Sequence, residues 1–135
     1  MNPDAVFLDT VGLLALWDQS DQWHAAAEGA FDQLRTARTE LVTTTFILLE
    51  CANSAARRPY RLAVDRLRES LEAAQRLIRP SDEDWTDAWQ AYRRGEADQA
   101  GIVDHVSFAV MRRLGLTKAF TNDRHYRAAG FTILF

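Results

Sequence analysis

Four short apolar runs, at residues 5–8, 41–45, 118–121 and 132–135, are separated by longer stretches in which apolar side chains return every three or four positions. Runs of this length, bounded by polar or turn-forming residues, read as strands, and the intervening period near 3.6 reads as helix. Strands joined in this way run parallel, because a parallel neighbour is reached only through a crossover of a dozen or more residues. The alternation therefore confines the chain to the α/β class with a mostly parallel sheet.

Asp9 and Thr10 end the first run, and Leu13, Leu14, Leu16 and Trp17 then carry helical spacing. Residues 21–38 repeat it at Trp23, Ala26, Ala27, Ala30, Phe31 and Leu34, with acids early and arginines late as the helix dipole prefers. After the second strand, Phe46, Ile47, Leu49, Cys51 and Ala52 lead into Ala-rich sequence of good helix propensity. Pro59 suits the first turn of another helix, whose stripe Leu62, Val64, Leu67, Leu71, Ala74 and Leu77 runs on to Pro80. Ser81 followed by Asp82, Glu83 and Asp84 makes a helix start, with Trp85, Ala88, Trp89 and Tyr92 marking the buried side. Gly95 ends that helix, a loop runs to about Val103, and Val106, Phe108, Ala109, Val110, Met111 and Leu114 form the next before Gly115. Trp17, Trp23, Trp85 and Trp89 are expected in the core rather than as base-stacking platforms.

At 135 residues, 47% apolar, the chain suits one domain over residues 1–135 and disfavours disorder. No run approaches the roughly 20 apolar residues of a membrane span, and the first residues carry no basic leader, so the expectation is a soluble, unexported protein. Cys51 is the only cysteine, which excludes an intrachain disulfide and a cysteine-held zinc or iron–sulfur site and suits a reducing cytoplasm. The formal charge of −3 is uneven: residues 54–79 hold seven arginines against three acids. Such a segment reads as a solvated helix face with short-range ion pairs, or as a surface for a polyanion or acidic partner.

In an open α/β sheet the ligand crevice lies outside the carboxyl ends of the strands, so acids just after strands take priority. Asp9 follows AVFL, Asp123 follows AFTN, Glu50 lies in the helix after the second strand, and Asp104 opens an apolar helix. Asp9 and Asp104 also suit helix caps, and Asp123 suits a turn. Glu50, among Phe46, Ile47, Leu48, Leu49, Cys51 and Ala52, is harder to explain away, because burying an unpaired carboxylate is expensive. If the four converge they repel and raise one another's pKa values, and a divalent cation resolves the conflict. Oxygen ligands without His or Cys select Mg²⁺ or Mn²⁺ and not zinc.

The order DTVGLLAL, then TTTFILLECANSAAR, then VDHVSFAVMRRLGLTKAFTNDRHYRAAGF resembles PIN-domain ribonucleases, especially the VapC-type toxins of bacterial toxin–antitoxin pairs. The resemblance covers nearly the whole chain. Its most specific part is the C-terminal stretch, where a strand leads to a Thr-x-Asp-Arg-His-aromatic signature. It implies a three-layer α/β/α sandwich with a five-stranded, mostly parallel sheet, and Mg²⁺- or Mn²⁺-dependent endonucleolytic cleavage of RNA. Asp9, Glu50, Asp104 and Asp123 take the family's four acidic positions, with Asp9 and Asp104 as metal ligands and Glu50 and Asp123 acting directly or through water. A small antitoxin and a homodimer are the implied partners. The chain departs from the pattern before Asp104, reading Ala100, Gly101, Ile102 and Val103 where relatives often carry a Trp or a small polar residue; Asp98 is an auxiliary candidate there.

Thr10 serves either as a helix cap or as support for Asp9. Asn53 and Ser107 each lie one turn after an acid on the same helical face, and fit either site support or ordinary interhelical bonding. Arg57, Arg58, Arg112, Arg113 and Arg124 are candidates to grip phosphates. The dispersed His24, His105 and His125 suggest no triad, no nucleophile motif of the G-x-S-x-G kind occurs, and Cys51 reads as a small buried hydrophobe. Two other functions compete with the nuclease: a non-catalytic PIN-like module binding RNA or protein, favoured only by the departure before Asp104, and a receiver or aspartate-nucleophile phosphatase, whose acid spacings are missing.

Overall fold

Val6, Phe7 and Leu8 form β1, and all three are buried, as a strand covered on both faces requires. The structure, a computed structural model describing residues 1–135, places β1 at the centre of a five-stranded sheet of order β3-β2-β1-β4-β5, every pairing parallel. β2 (Leu41–Thr44) and β4 (Lys118–Phe120) flank it, and the two-residue strands β3 (Leu77–Ile78) and β5 (Thr132–Ile133) form the edges. Phe7 is in register with Val42 on one side and Ala119 on the other. The buried Thr43 hydroxyl donates to the Leu8 carbonyl at 2.6 Å, tying β2 to the end of β1.

Helices α1 (Thr10–Trp17) and α2 (His24–Thr36) connect β1 to β2, and α3 (Thr45–Ala55) and α4 (Arg61–Ala73) connect β2 to β3. The chain then passes through α5 (Asp82–Arg93), a short turn α6 (Glu96–Gln99) and α7 (Ile102–Leu114) to β4 on the far side of β1, and through α8 (Arg124–Ala128) to β5. Right-handed crossovers that first progress outward in one direction and then in the other put the two helix groups on opposite faces, which makes three layers. The direction reverses between β1 and β4. Their carboxyl ends therefore border the crevice where a ligand site forms in such sheets.

Three expectations from the sequence are corrected. Leu77 is not the end of a helix: Gln75 takes a φ of 57° and terminates α4, Arg76 pairs with Glu40 at 2.6 Å, and Leu77–Ile78 joins the sheet beside β2. Trp85, Trp89 and Tyr92 do not mark the buried side of α5, for they are 50%, 40% and 49% exposed, and Trp23 is exposed as well. Asp84, Ala88 and Ala91 face inward instead, the adjacent stripe of the same helix, because small residues let α5 approach α7 and Arg113 of α7 holds Asp84 with hydrogen bonds of 2.7–3.2 Å. The displaced aromatics stack edge to face on one another and on Phe46. Pro59 precedes α4 rather than lying in its first turn. No helix is long and apolar enough to cross a membrane.

The switch point depends on close approach of α1 to β4. A Cβ on Gly12 would overlap the Phe120 carbonyl oxygen and lie 2.8 Å from its carbonyl carbon. Gly12→Ala is expected to lower stability by about 3 kcal/mol, the upper end for overpacking a core, with a matching fall in the urea midpoint. A variant as stable as the wild type would show that α1 can move away from β4 without penalty.

Candidate active site

Asp9 ends β1 and caps α1, so the cap and the site readings of this residue coexist. Its carboxylate is 2% exposed. Oδ2 accepts from the Thr121 hydroxyl at 2.8 Å and from the Val11 amide at 3.4 Å, and Oδ1 accepts from the Tyr126 phenol at 2.8 Å. Thr121 follows β4 and Tyr126 lies in α8, so the first junction of the chain is fastened to its last. Burial is the largest influence on Asp9 and pushes its pKa up to about 6, against the opposing Thr121 and Tyr126 hydrogen bonds.

Asp123 caps α8 through the His125 amide at 2.9 Å, and the same Oδ1 lies 2.7 Å from His125 Nδ1. Its own amide donates to Thr121 Oγ1 at 3.0 Å, so one hydroxyl bridges two acids. Asp104 stands in the first turn of α7, half-buried, where the positive end of the helix dipole faces it. Burial first, and then the charges of Asp9, Asp123 and Glu50, push its pKa up to about 7, with His125 acting in the other direction. Glu50 is half-buried on α3, and the Thr10 hydroxyl donates to its Oε1 at 2.6 Å. Thr10 thus joins Glu50 to the helix that Asp9 caps. Asp9, Asp104 and Asp123 stand at the starts of three helices and Glu50 in the middle of α3, and the charges of the other three act on Asp104.

One donor atom each from Asp104, Asp123 and His125 lies within 4.8 Å of the others, so an imidazole borders the acids. Asp98 is exposed in a turn where Ala97, Asp98 and Gln99 all have positive φ, and its carboxylate lies 3.8 Å from Arg124. Asn53 is exposed on α3 one turn beyond Glu50. Ser107 is fully buried, its Oγ without a hydrogen-bond partner beside the Tyr126 phenol. Arg57, Arg58 and Arg124 are exposed. Arg112 and Arg113 sit instead at the C-terminal end of α7, two turns and more from Asp104: Arg112 lies over the Phe108 and Phe131 rings and donates to the Ala129 carbonyl, and Arg113 holds Asp84. Burial pushes the Cys51 thiol up to about 12, which keeps it inert.

Thr121, His125 and Tyr126 bond the acids directly, and none of the three is singled out as a site residue from sequence; the signal that could have found them is the Thr-x-Asp-Arg-His-aromatic run itself.

A PIN domain profile matches residues 6–132. Over 128 residues, 93% of this chain and 95% of the relative, the sequence is 30% identical to the 23S rRNA-specific endonuclease VapC20 of Mycobacterium tuberculosis, in both strains CDC 1551 / Oshkosh and H37Rv. The crystal structure of M. tuberculosis VapC20, described as a sarcin–ricin loop cleaving toxin, superposes with a TM-score of 0.76 and 25% identity, covering 95% of this chain and 97% of that one. FitAcB from Neisseria gonorrhoeae shares the fold at a TM-score of 0.65, with 16% identity and 96% of each chain covered.

Raised carboxyl pKa values link the site to stability. Between the ordinary value of 3.8 and the raised values of about 6 and 7, the folded protein binds protons that the unfolded chain has released. The contribution of Asp9 and Asp104 is therefore full at low pH and is lost as pH rises through that window. In EDTA, these two groups are expected to make the protein melt lower at pH 8 than at pH 5. Added Mg²⁺ or Mn²⁺ should raise the midpoint more at pH 8, where protons no longer compete. Melting curves in EDTA that do not fall across this range would contradict the clustering of the acids.

Proposed function

The chain belongs to the PIN-domain family, and on that premise we propose that it is one domain over residues 1–135 acting as a VapC-type endoribonuclease, the toxin of a toxin–antitoxin pair, dependent on Mg²⁺ or Mn²⁺. Donor atoms of Asp104, Asp123 and His125 lie within 4.8 Å of one another at the switch point, with Asp9 and Glu50 close enough for their charges to act on Asp104, and that convergence carries the assignment. The donor set fits a divalent cation: Asp9 and Asp104 are held in a state of excess negative charge that burial makes worse, the condition a bound cation relieves. Asp9, Asp104 and Asp123 would hold it, with Glu50 close enough to reach it directly or through water. When bound, the ion supplies Lewis acidity that activates a water nucleophile and offsets charge on the phosphodiester.

The chain's own groups do the rest. Thr121 and Tyr126 keep the Asp9 carboxylate oriented, Thr10 does so for Glu50, and the His125 ring orients Asp123. The α7 N-terminus adds positive potential beneath Asp104. Arg124, 79% exposed and only loosely paired with Asp98, is the proposed phosphate contact beside α8, with Arg57 and Arg58 beyond α3. Arg112 and Arg113 are assigned to structure.

The relative's description makes a sarcin–ricin-type hairpin the first RNA to test. An antitoxin and a second copy of the chain are the proposed protein partners. Apolar surface suits both roles: a groove of about 440 Å³ between α3 and α4 is lined by Leu48, Leu49 and Leu62 among others, and the α5 aromatics are exposed.

The purified protein is expected to cut that hairpin in Mg²⁺ or Mn²⁺, to stop in EDTA, and to lose about 100-fold or more of its rate in Asp104→Asn. Cleavage that persists in both controls would overturn the assignment. Arg124→Ala should weaken RNA binding and lower the salt slope of log K by about one. Arg113→Ala should instead cost about 2 kcal/mol of stability by leaving buried Asp84 unpaired, with RNA affinity unchanged.

A further inference from the structure

Tyr126 is the largest fully buried side chain in the protein. Its ring packs against Phe108 with centroids 4.9 Å apart, and Phe7 and Phe131 each lie 6.5 Å away. An aromatic cage of this kind needs only a phenyl ring. The hydroxyl is an added polar atom in an apolar enclosure, where an unpaired phenol carries a penalty of a few kcal/mol, about 1–3 in protein mutational data. Its partner is a carboxylate as deeply buried as itself.

The hydrogen bonds of that carboxylate can be counted. A carboxylate has about four lone-pair positions, two on each oxygen. Both positions on Asp9 Oδ2 are used, one by the Thr121 hydroxyl and one by the Val11 amide. One of the two on Oδ1 is used by Tyr126. A single lone pair remains, and it belongs to Oδ1, the oxygen whose position Tyr126 sets. On the far side, the buried Ser107 hydroxyl lies beside the phenol from α7, one turn beyond Asp104. Tyr126 therefore stands between the helix that carries Asp104 and the strand end that carries Asp9.

We propose that Tyr126 is the positioning residue of the site: its phenol fixes Asp9 Oδ1, so that Asp9 offers a divalent cation one oxygen only. This rests on the cation-dependent function given above. Tyr126 touches neither cation nor substrate and acts through Asp9, so the variant changes how well the site is formed and not which acids it contains.

The test compares wild type, Tyr126→Phe and the control Phe7→Leu, which loosens the same cage and leaves the phenol in place. Mn²⁺ binding is followed by the electron paramagnetic resonance signal of the free ion, together with thermal melting in EDTA and the Mn²⁺ concentration that half-activates cleavage. Tyr126→Phe is expected to raise the Mn²⁺ Kd by about 10- to 100-fold, the range for removing a group that orients a ligand, and to shift the half-activating concentration in parallel. Phe7→Leu should lower the melting temperature with the Kd unchanged. Equal Mn²⁺ affinity in wild type and Tyr126→Phe, or an equal rise in Phe7→Leu, overturns the proposal. A wild type that binds no Mn²⁺ overturns the cation-dependent function and this proposal with it. Independently of any variant's folding, Mn²⁺ added to the wild type should perturb the ultraviolet difference spectrum of a buried tyrosine; binding without that perturbation also overturns the proposal.

Discussion

A carboxylate buried at the junction of the two central strands constrains everything around it. Asp9 lies 2% exposed at the end of β1, where the energy of losing water is large and each hydrogen bond must be supplied by the protein. Donors come from α1, from the residue after β4 and from α8. The last two donors lie 112 and 117 residues from Asp9 in sequence, so satisfying one side chain closes the fold across its topological switch. The close approach of Gly12 to the Phe120 backbone belongs to the same constraint, because a larger residue would push α1 off β4 and pull Asp9 out of reach of Thr121.

Hydrogen bonds lower the pKa of Asp9 and burial raises it, and burial wins. Asp104 meets the same opposition without comparable donors, and the neighbouring acids add to the burial term. A cluster in this condition is poorly matched to a protein at rest and well matched to a cation, which removes the repulsion that folding has built in. Structural ion pairs in the molecule look different. Asp84 has Arg113 and a capping box with Ser81, and its carboxyl is held below the usual range despite burial. Asp84 and Asp104, two acids in the first turns of packed helices, thus differ in kind: the first is paired within the fold, and the second is left for the proposed site.

Much of this was legible in the sequence where patterns were long or chemically specific. The central strands were readable because residues buried on both faces form nearly continuous apolar runs, and Asp9, Asp104 and Asp123 stood out because each lies at a helix start. The edge strand at Leu77–Ile78 was not, since two residues carry no period and Leu77 continues the α4 stripe in register. The inner face of α5 was misread because Ala88 belongs to both stripes, and hydrophobicity favours the one with Trp85 and Trp89. The inner stripe is chosen instead by helix proximity and by the Arg113–Asp84 pair, and neither can be seen before α7 is placed. The hydroxyls of Thr121 and Tyr126 escaped for a related reason: a donor's value depends on a partner over 110 residues away.

Electrostatics also limits how an RNA can approach. The chain is net negative, and its acidic crevice repels the phosphate backbone that it is proposed to cut. Attraction must therefore be local: of the many exposed arginines, Arg124 lies beside the acids and Arg57 and Arg58 lie beyond α3. Contacts confined to these three would give a shallow dependence on salt and modest non-specific affinity. Selectivity for a folded RNA then has to come from shape and from contacts to unpaired bases, as is usual for RNA recognition.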